Sequence, residues 1–263
     1  MKLLEVPFEH SLAVIHHGQV IHHSGDLSRL YWLASVTKVI ATRAALVAVD
    51  RGMLSLDQPV GLPGATVRHL LAHASGMEAD HEKQIVPAGK RRIYSNAGIE
   101  LLGRLVEQAT ATDLPAWIEE TVLDPLGMSS TYITGSPAHS GKGTVEDLVA
   151  LAQELLHPRL VSASLDRQAT TSVFPDLKGI LPGYGRQDPN TWGLGVEIRS
   201  TKSPHWTAPE ASPETFGHFG MSGSFIWVDR PRDAAAVFLG AENFGEWHHD
   251  HWATLNHQIL EQL

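Results

Sequence analysis

The chain has no cysteine among its 263 residues, so disulfides, a thiol nucleophile and thiolate metal sites are excluded. Basic charge is scarce too. Lys and Arg number 20 against 29 Asp and Glu, for a formal net charge of −9, and they do not cluster into the footprint of a nucleic-acid binder. No apolar run is long enough to span a bilayer. The opening MKLLEVPFEH lacks the apolar stretch and cleavage site of a signal peptide, so the chain reads as cytoplasmic. G-x-S-x-G, G-x-G-x-x-G, Walker A and H-E-x-x-H are all missing, which removes the α/β-hydrolase elbow, the common nucleotide folds and the zincin site.

What is present suffices for a large core, either one domain or two interleaved lobes. Residues 11–24 read as a β-hairpin turning at His17-Gly18-Gln19. Helical patterns follow over 35–52, 66–76, 97–108, 114–122 and 144–156, the last with Thr144 as N-cap and Glu146-Asp147 in its first turn. The C-terminal third changes to strands over 194–198, 224–228 and 234–239, with Pro-rich segments at 181–190 and 201–213 and a covering helix from Trp252 to Leu263. Strands at both ends with helices between predict an α+β fold. A mostly antiparallel sheet lobe is expected from residues 1–34 and 188–263 and a helical lobe from 35–187, with any active site expected in the cleft between them.

Three short boxes carry chemistry. Ser35 and Lys38 stand one helical turn apart at a helix start, so they share a face, with free N–H groups near the serine and Val39 and Ile40 beside the lysine. Desolvation there lets a lysine accept a proton. Chance alone supplies roughly one Ser-x-x-Lys in a chain of this length. Tyr94-Ser95-Asn96 precedes a helix and follows Lys90-Arg91-Arg92, cations that favour a partly ionised phenol able to shuttle a proton. A tyrosine packed at a helix start with an Asn cap would look the same. His218-Phe219-Gly220 sits in a Gly-rich strand end where another backbone can approach, and the N–H groups of Met221 and Ser35 can form an oxyanion hole. A Gly-rich bend with a surface histidine fits it equally well.

Taken together and in this order, the boxes resemble those of the serine β-lactamase and penicillin-binding-protein family. The Tyr-x-Asn second box is similar to that of the class C branch and its esterase and D-aminopeptidase/carboxypeptidase relatives. Leu33–Lys38, His69–Met77, Pro125–Met128, Trp192–Gly195 and Phe216–Ser224 all resemble recurrent segments of that family. The resemblance implies a β-lactamase/transpeptidase-like fold with Ser35 as acylated nucleophile and Lys38 as its activating partner. It further implies Tyr94 as shared acid and base, Asn96 orienting substrate and Lys38, and His218 in the place of the third-box lysine. Phe219 and Gly220 would belong to the substrate strand, and the N–H groups of Ser35 and Met221 would form the oxyanion hole. No cofactor and no metal are implied.

Two departures shape the expected function. Histidine at 218 is mostly neutral at pH 7 and can donate a hydrogen bond, but it holds an anion less well than lysine. Carboxylic esters, small amides or peptides are therefore expected ahead of penicillins. A true β-lactamase or D-Ala-D-Ala carboxypeptidase, and a non-catalytic ligand-binding member, stand as alternatives. The chain is also short for this branch, with at most ten residues where an N-terminal helix usually packs on the sheet. The partner is a small molecule, with neither nucleic acid nor membrane involved. The histidines at 16–17, 22–23 and 248–251 read as solvated surface groups, and His73 as a buttress of a helix end.

Overall fold

The computed structural model describes residues 1–263. The chain opens with β1 (His10–His16), β2 (Gln19–Ser24) and β3 (Tyr31–Trp32), then α1 (Thr37–Asp50), α2 (Val67–Leu71) and α3 (Asn96–Thr110). It continues through α4 (Leu114–Ile118), a π turn at Glu119–Leu123, α5 (Asp124–Leu126), β4 (Tyr132–Ile133), β5 (Gly141–Gly143), α6 (Val145–Leu156) and α7 (Ala163–Ala169). The last part holds β6 (Gly179–Leu181), β7 (Gly185–Gln187), β8 (Glu197–Ile198), β9 (Phe216–Gly220), β10 (Ser224–Asp229), β11 (Ala234–Gly240) and α8 (Glu246–Leu260).

Apolar runs buried on both faces build the main sheet. Its six strands run β2-β1-β11-β10-β9-β8, each neighbouring pair antiparallel. Strands from the two chain ends thus meet at its centre, with Val14 opposite Ala236. Leu12, Val14, Ala236 and Phe238 face one core with Trp252, Leu255 and Ile259 of α8. Ala13, Ile15, Ala235 and Val237 alternate with them and face the other core, which takes in α1, α3 and α6. Both faces are therefore dry, and a mixed helix and antiparallel-sheet fold results, as expected. We propose the division at 34/35 and 187/188 as a topological one, because one continuous core joins the sheet to the inserted helices.

α1 is buried on every side from Thr37 to Ala48. Its one interior arginine, Arg43, is paired with Glu154 and Asp166, and Thr37 at its start accepts from the Gly141 N–H of β5 at 2.9 Å. Thr144 caps α6, accepting from the Asp147 N–H at 3.1 Å.

Several expectations are corrected. The strand expected at 194–198 shrinks to β8, because Gly193-Leu194-Gly195 turns to lie on α1. Gly195 has φ of 90°, and a Cβ there would stand 2.1 Å from Thr42 Oγ1. α8 begins six residues before Trp252, where His248 Nδ1 accepts from the Gly245 N–H at 3.2 Å. His248 is consequently buried rather than solvated, and its ring lies 4.9 Å from that of Phe8. Residues 1–9 form no helix, yet Leu3, Leu4, Val6 and Phe8 still pack on the α8 side of the sheet. The three-stranded sheet β3-β5-β4 and the β6-β7 hairpin, made of two- and three-residue strands, were too short to show a period. No helix is long and apolar enough to cross a membrane.

Candidate active site

The site forms where the start of α1 meets the end of β9. Ser35 lies in a 3-10 turn, Ala34–Val36, that leads directly into α1. Ala34 holds φ of 44°, a left-handed conformation costly for a residue with a Cβ. The turn is fixed from both sides, by the Leu33 N–H donating to Gly141 O at 2.9 Å and by Ser224 Oγ donating to Leu33 O at 2.9 Å. Gly220 permits that approach, since a Cβ there would stand 2.4 Å from Leu33 O and 3.1 Å from Ser35 N. The glycine thus lets β9 and the serine turn touch.

The structure brings Ser35, Lys38, Tyr94 and Asn96 into one hydrogen-bonded group. Lys38 Nζ is 3.1 Å from Ser35 Oγ, 2.7 Å from Asn96 Oδ1 and 2.8 Å from Ala138 O, and Tyr94 Oη donates to Ser35 Oγ at 2.6 Å. Lys38 is 1 % exposed, and burial lowers its pKa to about 7 against the opposing pull of the Asp80 and Glu100 carboxylates. A neutral amine has two N–H bonds. With these given to Asn96 and Ala138, its lone pair is left facing Ser35 Oγ.

Tyr94 departs from expectation. Burial raises its pKa well above the ordinary phenol value, so it is a protonated donor rather than a phenolate. The cations before it do not reach it. Lys90 and Arg91 are exposed, and Arg92 turns inward to give hydrogen bonds to the carbonyls of Ala72, Val173, Phe174 and Asn190. Asn96 holds Lys38 through its Oδ1, and one of its two Nδ2 hydrogens goes to Asp80 Oδ1 at 2.7 Å.

His218 is 3 % exposed, and burial together with the Lys38 charge lowers its pKa to about 3. Its Nδ1 is 2.7 Å from Phe219 O, a contact that requires the proton on Nδ1. Nε2 is then a bare lone pair, and it finds no partner. His218 therefore presents an acceptor where the sequence reading anticipated a donor. Phe219 offers only a ring, packed among Tyr184, Trp206, Phe244 and Trp252.

Ser35, Tyr94, His218, Phe219 and Met221 line one small pocket with Leu181, Pro182, Trp192 and Glu197. Of the two Pro-rich segments, only the first supplies its wall. The second works from beneath, where Lys202 Nζ, His205 Nε2 and Trp206 Nε1 meet the Glu197 carboxylate at 2.8, 2.9 and 2.8 Å. Burial would raise the Glu197 pKa, but the Lys202 charge and the His205 contact outweigh it and hold the group well below the carboxylate range.

His73, Trp192, Glu197 and Asp80 escaped the sequence reading as site residues. His73 is buried with φ of 52°, and its Nδ1 accepts from the Ser95 N–H at 3.1 Å. Its ring lies 4.7 Å from that of Tyr94 and 4.6 Å, edge to face, from that of Trp192. The expected buttress is present, and it supports the Tyr94 loop.

A buried lysine and a tyrosine converging on one serine at a helix start define an SxxK-type serine site on an α+β scaffold. The chain belongs to the beta-lactamase family, whose model it matches over residues 10–261. It is similar to a beta-lactamase from Mycobacterium bovis, with 46% identity, a TM-score of 0.95, and coverage of 98% of this chain and 95% of that one. A Pseudomonas fluorescens beta-lactamase is 24% identical over 82% of this chain and 80% of its own. EstCE1, described as a hydrolase with promiscuous acyltransferase activity, shares the fold at a TM-score of 0.80 and 17% identity, covering 97% of this chain and 93% of its own. The family fold supports serine-hydrolase-type activity.

Proposed function

We propose that the chain is a serine hydrolase that works through an acyl-enzyme on Ser35, with carboxylic esters or small amides and peptides as substrates. The observation that carries this reading is the pair of contacts at Ser35 Oγ, with Lys38 Nζ at 3.1 Å and Tyr94 Oη at 2.6 Å. Neutral Lys38 takes the Oγ proton as Oγ bonds to the substrate carbonyl carbon. The N–H groups of Ser35 and Met221 receive the developing oxyanion. The bond to the leaving alkoxide or amine breaks as that group takes the Tyr94 proton, and the Lys38 ammonium then returns a proton to the Tyr94 phenolate. Water then attacks the ester on Ser35, losing its proton to the same pair. The acid leaves and Oγ is reprotonated.

The preference for substrates without a charge close to the reacting carbonyl rests on His218 and Phe219. Neither supplies a positive charge or a hydroxyl donor to a substrate carboxylate. A second reading, a β-lactamase, is favoured by the 46% identity to the Mycobacterium bovis protein.

Incubation with a fluorophosphonate, followed by intact mass, should give one adduct that disappears in Ser35→Ala. Failure of every acylating probe would instead point to a ligand-binding protein. Rapid nitrocefin turnover with no hydrolysis of p-nitrophenyl acetate or butyrate would reverse the ranking of esterase over β-lactamase.

A further inference from the structure

The active-site cavity does not end at its own walls. Tyr94 and Pro182 also line a second cleft, of about 370 Å³, whose other apolar sides are Ala79, Ile85, Ile93 and Ile180. Ile85 and Ile180 are 50% and 58% exposed, so this surface is unused within the fold. Arg91 closes the far side of the cleft and opens onto a third hollow, lined by Lys90, Arg91, Lys178 and Arg186 with Gly179. Asp188 is the carboxylate that meets this patch, 3.2 Å from Lys178 and 4.0 Å from Arg186. Lys90 and Arg91 have no acidic partner. A cationic cluster on a chain of net charge −9 is a local reversal of sign, and it adjoins the apolar cleft that shares Tyr94 and Pro182 with the Ser35 cavity.

The cleft is built rigidly. The Arg92 N–H donates to Lys178 O at 3.0 Å, and Arg92 pairs with Gly179 in a parallel bridge. Segment 91–93 and β6 are thereby locked side by side as two rails, one bearing Ile93 and the other Ile180. The buried Arg92 guanidinium bolts the first rail to the interior. Such a groove loses little freedom when it is filled.

We propose that this cleft is a substrate subsite for one arm of the ester or amide: an apolar chain lying over Ile93 and Ile180 and ending in an anionic group, such as a carboxylate, against Arg91, Lys90 and Arg186. The inference rests on the acyl-transfer reading of Ser35 and adds the substrate class. The charge that the His218 strand does not bind is bound at a distance, across an apolar spacer.

Binding to Ser35→Ala, which cannot turn substrate over, tests it. Titration calorimetry would compare monomethyl suberate with methyl octanoate at low salt, then repeat both at high salt and in an Arg91→Glu/Arg186→Glu background whose melting temperature is checked. Exposed ion pairs of this kind predict a preference of about two- to fivefold for the anionic ester. That preference should shrink with salt and vanish in the doubly reversed protein. Equal affinity for the two esters, no saturable binding of either, or a preference that survives the double reversal would overturn the proposal. A wild-type protein that no acylating probe labels would fail the acyl-transfer reading instead, and the binding comparison is independent of that outcome.

Discussion

Lys38 sets the pH at which Ser35 becomes a nucleophile. Burial lowers its pKa from 10.5 to about 7. That fall is worth roughly 5 kcal/mol against the ammonium form at about 1.4 kcal/mol per unit. The amine must be neutral to accept the Oγ proton, so kcat/KM for p-nitrophenyl acetate should rise with pH and reach half its plateau near pH 7. Two units below that midpoint the rate should be about a hundredfold lower. No fall at mildly alkaline pH is expected from Tyr94, whose pKa burial drives upward. Lys38→Arg should abolish the rising limb and the activity together, because a guanidinium does not lose its proton in this range.

Asp80→Asn isolates the electrostatic part of this argument. The Asp80 carboxylate raises the Lys38 pKa and also holds Asn96 Nδ2 at 2.7 Å. An amide at position 80 keeps the acceptor oxygen and removes the charge. Asp80 is exposed and screened, so the midpoint should move down by only about half a unit. The same shift has a stability counterpart. Lys38 binds its proton less tightly folded than unfolded, so its contribution to stability should rise with pH between its folded value of about 7 and 10.5 and stay flat below. A pH–rate profile with no limb near 7, or full activity in Lys38→Arg, would refute the assignment of Lys38 as proton acceptor.

Other perturbations probe the scaffold. Tyr94→Phe should lower turnover by orders of magnitude while the melting temperature holds, since the ring packing stays and only the donor to Ser35 Oγ is lost. In Gly220→Ala the new methyl would collide with Leu33 O, so about 1–3 kcal/mol of strain should appear in chemical denaturation, with hydrolysis falling further than stability does. Arg92→Met leaves four buried carbonyls without their donor and should cost about 3–5 kcal/mol, read as a lowered denaturation midpoint. His73→Phe keeps a ring beside Tyr94 but removes the acceptor for the Ser95 N–H; it should reduce kcat more than it raises KM.

The parts of the site that were legible are those encoded locally. Ser35 and Lys38 lie one turn apart, and a dry helix start follows from the residues around them. The central strands were legible for the same reason, because Leu12 to Ile15 and Ala234 to Leu239 are unbroken apolar runs in the chain itself. The illegible parts depend on where a side chain turns. Lys90, Arg91 and Arg92 stand beside Tyr94 in sequence, yet Arg92 reaches carbonyls at 72, 173, 174 and 190 while its neighbours stay at the surface. The phenolate expectation failed on that point. His218 was readable as a residue but not as a tautomer, since its donor state is fixed by Phe219 O at 2.7 Å. Glu197 could not be paired with Lys202, His205 and Trp206 before the loop at 201–213 had a path.

The buried cations around the site explain why charge recognition would lie outside it. Lys38 meets three acceptors, two of them fixed protein oxygens that do not react. Lys202 is held by Glu197 and by the carbonyls of Thr191 and Ile198 at 2.8, 2.7 and 2.6 Å. Arg92 is enclosed by its four carbonyls. Each of these side chains satisfies oxygens that would otherwise be buried without a donor, and withdrawing one toward a substrate would leave those oxygens bare at roughly 1–3 kcal/mol each. A substrate carboxylate in the cavity would therefore have to break internal bonds, beside the ionised Glu197 and the lone pair of His218. The exposed cations of the 90–91 and 178–186 segments have no such duty. An anion placed there gains attraction without stripping a donor from the core, which makes the rim the cheaper place for this protein to read charge.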